Sequence, residues 1–470
     1  MAEGTERPRA RLTRRVRSKL GREARELLAA SPPTLPLLTP VGPQVPDDAR
    51  VQQVLDLCMR AGEVLLSSGE DAEETTRAMI GLANACGLPT VDVDITFTSI
   101  TMCCHRGMAA PPVTSMRLVR RRSLDLTRLA AVRQIMARVD RGELDVRGAA
   151  AELDAAVTAL HPYPRWVATA GWAGLAGAIA LMLGAAPITA AAAFVVTAAV
   201  DRTGRILNRW GLPAFFQQVV GGLLATSAAI ALFATGFFPP GTRPSLVVAA
   251  GITVLLSGLS VVGTVQDAID GYYVTAAGRA AEIALLSAGL LTGVVLALKI
   301  GLTFGLVLEV AGELPSGGDL YGRAIGAAAV AAASFALAGY SQWRPLLFAA
   351  GAGAAGYGTY GALTQFADVG PVAATGVAAI VVGGAAGLLR RSQTVPPLVV
   401  VLAGITPLLP GFTAYRGFYQ LAVEGVADGL VTVTLALAIG LALAAGVSFG
   451  EFLTSPLRRL TRTAQEAAPQ

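Results

Sequence analysis

Two nearly identical nonapeptides, AGITVLLSG at 250–258 and AGITPLLPG at 403–411, each carry a threonine at the fourth position, Thr253 and Thr406. They differ only where Val254 becomes Pro407 and Ser257 becomes Pro410. Proline has no N–H, so Pro407 and Pro410 would free the carbonyls of Ala403 and Thr406 within a helical segment. In lipid such groups must face protein, water or a ligand. Broken helices of this kind expose backbone dipoles to solutes. The substrate-binding candidates are therefore Thr253, Thr406, Pro407 and Pro410, with Arg416, near Glu424 and Asp428, as a selector of charged solutes. The alternative is an ordinary proline kink whose threonines bond their own helix.

Three carboxylates could move protons. Asp267 and Asp270 stand three apart, which on a helix places them on one face, and Glu282 follows at the start of the next apolar run. Burial raises a carboxyl pKa and lets it carry a proton; a solvated cytoplasmic cap is the alternative. Other chemistries find no support. Neither Lys19 nor Lys299 precedes Ser or Thr, so there is no P-loop, and there is no HExxH. Cys103, Cys104 and His105 are adjacent, but neighbours on a strand point to opposite faces and do not converge on one ion. We expect no metal, no cofactor and no nucleic-acid partner, and the chain is not expected to be an enzyme. A hydrolase using Asp92 and Asp94 is the weaker alternative, since their alternation fits a solvated strand face.

The elements that must hold these groups follow from composition. Apolar residues make up 53% of the 470 and charged residues only 15%, and the mean hydropathy is +0.58. Before Trp166 lie 23 of 37 Lys+Arg and 20 of 32 Asp+Glu, leaving 26 charges in the last 305 residues. A span needs roughly 20 apolar residues, so those 305 residues divide into about ten spans. We place them near 166–184, 187–201, 213–235, 245–264, 281–301, 324–342, 345–363, 370–389, 396–414 and 429–449. Ten of the 14 Lys+Arg after Trp166 then fall on the side of the N-terminal region, Arg202, Arg205 and Arg279 among them. The positive-inside rule makes that side, and both termini, cytoplasmic.

Before the spans, residues 1–47 form a basic tail and a proline-rich linker, with no apolar signal segment. Residues 48–165 read as a small α+β domain. Helical periodicity runs through VQQVLDLCMRAGEVLLSSG and DAEETTRAMIGLANACG, ending at Gly69 and Gly87. TVDVDITFTS alternates as a strand, further strands are expected at 99–104 and 115–120, and two amphipathic helices follow.

The segments SSGEDAEETTRAMIGLANACGL, VDVDITFTSITM, SMRLVRRRSLDLTRL and RGELDVRGAAAELDAA together resemble the soluble N-terminal domain of the bacterial threonine/serine exporter family. GTVQDAIDGYYVTAAGRAAE is similar to the segment after that family's fourth span. The resemblance covers about 420 residues. It implies a ten-span plasma-membrane exporter of small amino acids driven by the proton motive force.

The doubled nonapeptide adds a symmetry. It falls in spans four and nine, dividing the chain into five-span repeats at 166–320 and 321–470, and an odd number of spans inverts the second. Inverted repeats commonly place the substrate site between them, near the midplane. The expected partners are a small amino acid, protons and membrane lipid; the sequence also allows a homo-oligomer. Export of a small dicarboxylate such as succinate, or a membrane-anchored sensor, are the alternatives.

Overall fold

A computed structural model describes residues 47–106, 110–119, 124–238, 245–255, 258–306, 318–389, 397–421 and 426–466. The basic tail, Ser257 and Glu424 lie outside the described residues.

The N-terminal unit forms as its periodicities dictate. Helix α1 (Asp48–Ser67) buries Val51, Val54, Leu55, Cys58 and Leu65 along one face. Gly69 then takes φ 102°, a conformation that suits glycine and turns the chain. Helix α2 (Ala72–Ala85) is capped by Asp71, whose carboxylate accepts from the Glu74 N–H at 2.7 Å. Strands β1 (Val91–Thr96), β2 (Ser99–Cys104) and β3 (Val113–Leu118) form an antiparallel sheet in that order. The third strand thus begins two residues earlier than expected. The register sets Ile95 opposite Ile100 and Val91 opposite Cys104, and this apolar face is buried. Helix α1 packs on β2, β3 and the helices α3 (Leu126–Asp140) and α4 (Val146–Thr158).

Beyond Pro164 the regular structure of the described residues is all helical. Helices α5 (Arg165–Met182), α6 (Pro187–Arg209), α7 (Ala214–Ala234), α8 (Ser245–Leu255), α9 (Gly258–Ile269) and α10 (Tyr273–Thr303) come first. Then follow α11 (Gly318–Ala338), α12 (Trp343–Phe366), α13 (Pro371–Leu389), α14 (Pro397–Ile405), a 3-10 turn over Thr406–Leu408, α15 (Gly411–Tyr419) and α16 (Val426–Glu466). Among the described residues five helices are long and apolar enough to cross a membrane: α7, α10 and α13, and stretches of α11 and α16. The pairs α8–α9 and α14–α15 bring this to seven if each is one span, and each pair is bent by 43°. Helices α5, α6 and α12, which coincide with three further expected spans, fall short of that measure. Arg165 in α5, Asp201 and Arg202 in α6, and the glycines and tyrosines of α12 lower the hydropathy, while Ala and Gly permit close backbone packing.

The two halves pack alike. In the first, α5 lies on α6, α6 on α7 and α8, α7 on α10, and α9 on α10. In the second, α11 lies on α12, α12 on α13 and α14, α13 on α16, and α15 on α16. Close approach depends on glycine in both: a Cβ on Gly293 would strike the Val219 carbonyl, and one on Gly383 the Val447 carbonyl. The halves meet where α5 packs on α11 and α8 on α15. At the centre, Ser245–Ile252 of α8 and Val399–Ile405 of α14 are buried throughout, as expected of helices apolar on every side.

Candidate functional site

Both helix breaks fall in the repeated nonapeptides. Helix α14 tightens into the 3-10 turn at Thr406–Leu408, Leu409 is extended with ψ 135°, and α15 starts at Gly411. Pro407 and Pro410 have no N–H to offer Ala403 and Thr406; the Thr406 carbonyl instead accepts from the Leu409 N–H at 3.3 Å. The threonine hydroxyls donate within their own helices, Thr253 Oγ1 to the Ala249 carbonyl and Thr406 Oγ1 to the Leu402 carbonyl, each at 2.7 Å. Their protons are committed, but their lone pairs can still accept.

Thr253 and Thr406 nevertheless face one space. A cavity of about 300 Å³ is lined by Trp172, Thr253, Ser260 and Arg279 from the first half and by Phe335, Leu402, Thr406 and Leu409 from the second. The N-terminal unit contributes Leu66, Ser67, Ser68, Gly69 and Leu124 to the same wall. Arg279 is the one charged side chain lining it among the described residues.

Arg279 comes from the first turns of α10 and is 6% exposed. Its Nη1 lies 2.6 Å from Oδ2 of Asp267, which is fully buried at the end of α9. The other oxygen of Asp267 accepts from the Ala72 N–H, at the start of α2, at 3.0 Å. One carboxylate therefore serves a buried arginine and the positive end of a helix dipole in the N-terminal unit. This environment was not legible in the sequence, where Arg279 looked like one more basic residue at a span end.

The remaining candidates lie elsewhere. Asp270 is exposed in the turn after α9 and does not share a helical face with Asp267. Partial burial, reinforced by the carboxylates of Asp71, Glu73 and Asp267, pushes its carboxyl up to about 6. Glu282 is exposed on α10, and Arg416 is half-buried on α15. Neither they nor Pro407 and Pro410 line the cavity.

A second cavity, of about 510 Å³, lies between the N-terminal unit and α9, α14 and α16. Gly69, Gly263 and Leu402 line both cavities, so the two adjoin. Its polar wall includes Glu70, Arg133, Gln266 and Glu451. Glu70 is 4% exposed and bonded to Arg133, which also meets Glu74 at 3.2 Å. Burial outweighs the pull of Arg133 and pushes the Glu70 carboxyl up to about 7. The SSGED segment, which joins α1 to α2, supplies walls to both cavities.

The N-terminal unit is tied to the helices by specific bonds. Thr275 Oγ1 donates to the Ile95 carbonyl at 2.9 Å and accepts from the Phe97 N–H at 3.0 Å. The Tyr272 hydroxyl reaches Glu73 and Thr76, at 3.2 and 3.1 Å. On the other side, the Leu126 N–H donates to the Gly339 carbonyl at 2.9 Å. Elsewhere, among the described residues, no group of three His, Cys, Asp or Glu side chains is arranged to hold a metal ion. Asp92 pairs with His105 at 2.9 Å on the exposed side of the sheet.

Comparison with known proteins places this geometry in context. Residues 56–301 match the family described as "Putative threonine/serine exporter", and residues 324–453 match "Threonine/Serine exporter, ThrE". The chain is 38% identical over 430 residues to a Mycobacterium tuberculosis protein named "Probable threonine/serine exporter", covering 88% of this chain and 78% of that one. It is 35% identical over 437 residues to the "Threonine/serine exporter" of Corynebacterium glutamicum, covering 92% and 88%. No solved structure matches.

Proposed function

Because the chain belongs to the threonine/serine exporter family, we propose that it is a secondary active transporter of the plasma membrane that exports threonine and serine, driven by protons. The observation that carries the reading is the shared cavity: Thr253 and Thr406, from the two copies of one nonapeptide, line the same 300 Å³. A space of that size suits a small solute, and its walls are mostly apolar with a few polar groups, as ligand sites are.

The matching packing of α5–α10 and α11–α16 supports two repeats of five spans, with α8–α9 and α14–α15 each counted as one bent span. Five spans per repeat invert the second, the arrangement that lets a site between repeats open alternately to either side. The N-terminal unit, cytoplasmic on the positive-inside rule, lays Leu66–Gly69 across one wall of the cavity. These residues withdraw when the site opens inward, and the repeats part on the opposite side when it opens outward. The adjoining 510 Å³ cavity is the inward approach. Asp270, exposed among other carboxylates, is the better proton carrier of the pair with Asp267, whose charge is held by Arg279.

Among the described residues a single cation lines the wall, which also favours an amino acid over a dicarboxylate, since two carboxylates would need two such partners. Counterflow of labelled threonine, serine and succinate in proteoliposomes tests the reading. Threonine and serine should exchange. Exchange of succinate alone would select the dicarboxylate alternative, and exchange of none would leave a membrane-anchored sensor.

A further inference from the structure

Among the described residues, one buried donor of Arg279 has no hydrogen-bond partner. Its guanidinium has five N–H groups in a rigid fork; Nη1 is ion-paired with Asp267 at 2.6 Å, and Nε is the donor left without a partner among the described residues. A buried unmet donor on a charged group is costly, so it marks either strain or a place for a missing acceptor. Here the side chain lies against open space, because Arg279 lines the 300 Å³ cavity while Asp267 does not.

We propose that Arg279 is the carboxylate subsite of this cavity. The α-carboxylate of a small amino acid takes the free Nε and an adjacent Nη in the two-pronged geometry that guanidinium and carboxylate share. That the ligand is an amino acid rests on the exporter reading; that it carries a carboxylate rests on Arg279 itself. Asp267 is a positioning residue. It neutralises the guanidinium while the cavity is empty and aims the fork at the space.

Because Asp267 also accepts from Ala72, at the start of α2, a change in its hold on Arg279 reaches the N-terminal unit directly. Ligand binding and the seating of that unit are thereby coupled through one side chain.

The test uses the purified full-length protein and its thermal unfolding midpoint with threonine, threoninamide or propionate. Threoninamide replaces the carboxylate with a neutral amide, and propionate is a bare small carboxylate. Threonine and propionate should stabilise the wild type and threoninamide should not. The double variant Arg279→Gln/Asp267→Asn removes both buried charges together, and should bind threonine and propionate roughly 10- to 150-fold more weakly, as expected for loss of a hydrogen bond to a charged group. Equal stabilisation of the wild type by threoninamide, or unchanged affinity of the double variant, would overturn the subsite. If the double variant does not fold, Arg279→Lys carries the same test, because it keeps the charge and loses Nε: unchanged threonine affinity again overturns the proposal. Transport by the wild type is read separately. Propionate binding without threonine or serine transport would remove the exporter reading and leave the carboxylate subsite standing.

Discussion

Thr253, fourth residue of one nonapeptide, packs directly against Gly411, the last residue of the other: a Cβ on Gly411 would lie 2.9 Å from both Cβ and Oγ1 of Thr253. The two copies therefore touch, and the contact stands at the start of α15, where the second helix resumes after its break.

Gly411→Ala should force this contact apart. Overpacking of a close-packed site costs about 1–3 kcal/mol, and we expect a lowered thermal midpoint together with slow transport. Thr253→Val and Thr406→Val keep the shape and remove the hydroxyls of two residues that line the cavity. Each should weaken threonine binding, measured by competition, with little effect on folding. Wild-type affinity in both valine variants, with unaltered transport by Gly411→Ala, would detach the repeat contact from the site.

Proton coupling separates two carboxylates that the sequence treats as a pair. Asp270→Asn should abolish efflux driven by a pH gradient and spare exchange at equal pH, with exposed Asp368 as the control position. Asp267→Asn is a different experiment. It strands the Arg279 charge, a loss on the order of 3–5 kcal/mol for a buried pair, and should appear first as poor folding. Gradient-driven efflux at the wild-type rate in Asp270→Asn would take that carboxylate out of the coupling.

Glu70 gives the fold a pH dependence of known sign. Its carboxyl is raised from 4.5 unfolded to about 7 folded, so the folded state binds more protons between those values. Its contribution to stability is greatest below 4.5 and declines as pH rises towards about 7. Glu70→Gln should flatten the thermal midpoint across that window relative to the wild type. An identical pH profile in the variant would show that Glu70 does not titrate there.

The N-terminal unit can be locked in place. Phe97 caps the β1–β2 turn with φ 46°, and a Cβ on Gly278 of α10 would lie 3.4 Å from its own Cβ. That separation is close to the roughly 3.5–4.5 Å of a disulfide. With Cys58, Cys86, Cys103 and Cys104 replaced, Phe97→Cys/Gly278→Cys should transport when reduced and stop when oxidised. Undiminished transport with the bridge formed would mean that the unit need not withdraw for solute to pass.

Much of the architecture was written in local pattern. The alternation of Val91, Val93 and Ile95 set the first strand. Gly69 and Gly87 ended helices at positive φ, and the two prolines marked the break at Thr406–Leu408, because each removes a bond that a helix requires. These features depend on neighbours in sequence, and a sequence displays its neighbours. What it does not display is which charges meet. Helical spacing joined Asp267 to Asp270, but α9 ends at Ile269, and Gly271 turns the chain at φ 92°, so one carboxylate goes inward and the other to the surface. Arg279 reaches Asp267 only because the chain folds back after that turn, and Ser67–Gly69 close the cavity from nearly two hundred residues upstream. Desolvation and pairing act through space, so the identity of the buried arginine, its partner and its wall of small residues was decided only when the N-terminal unit docked on α9 and α10.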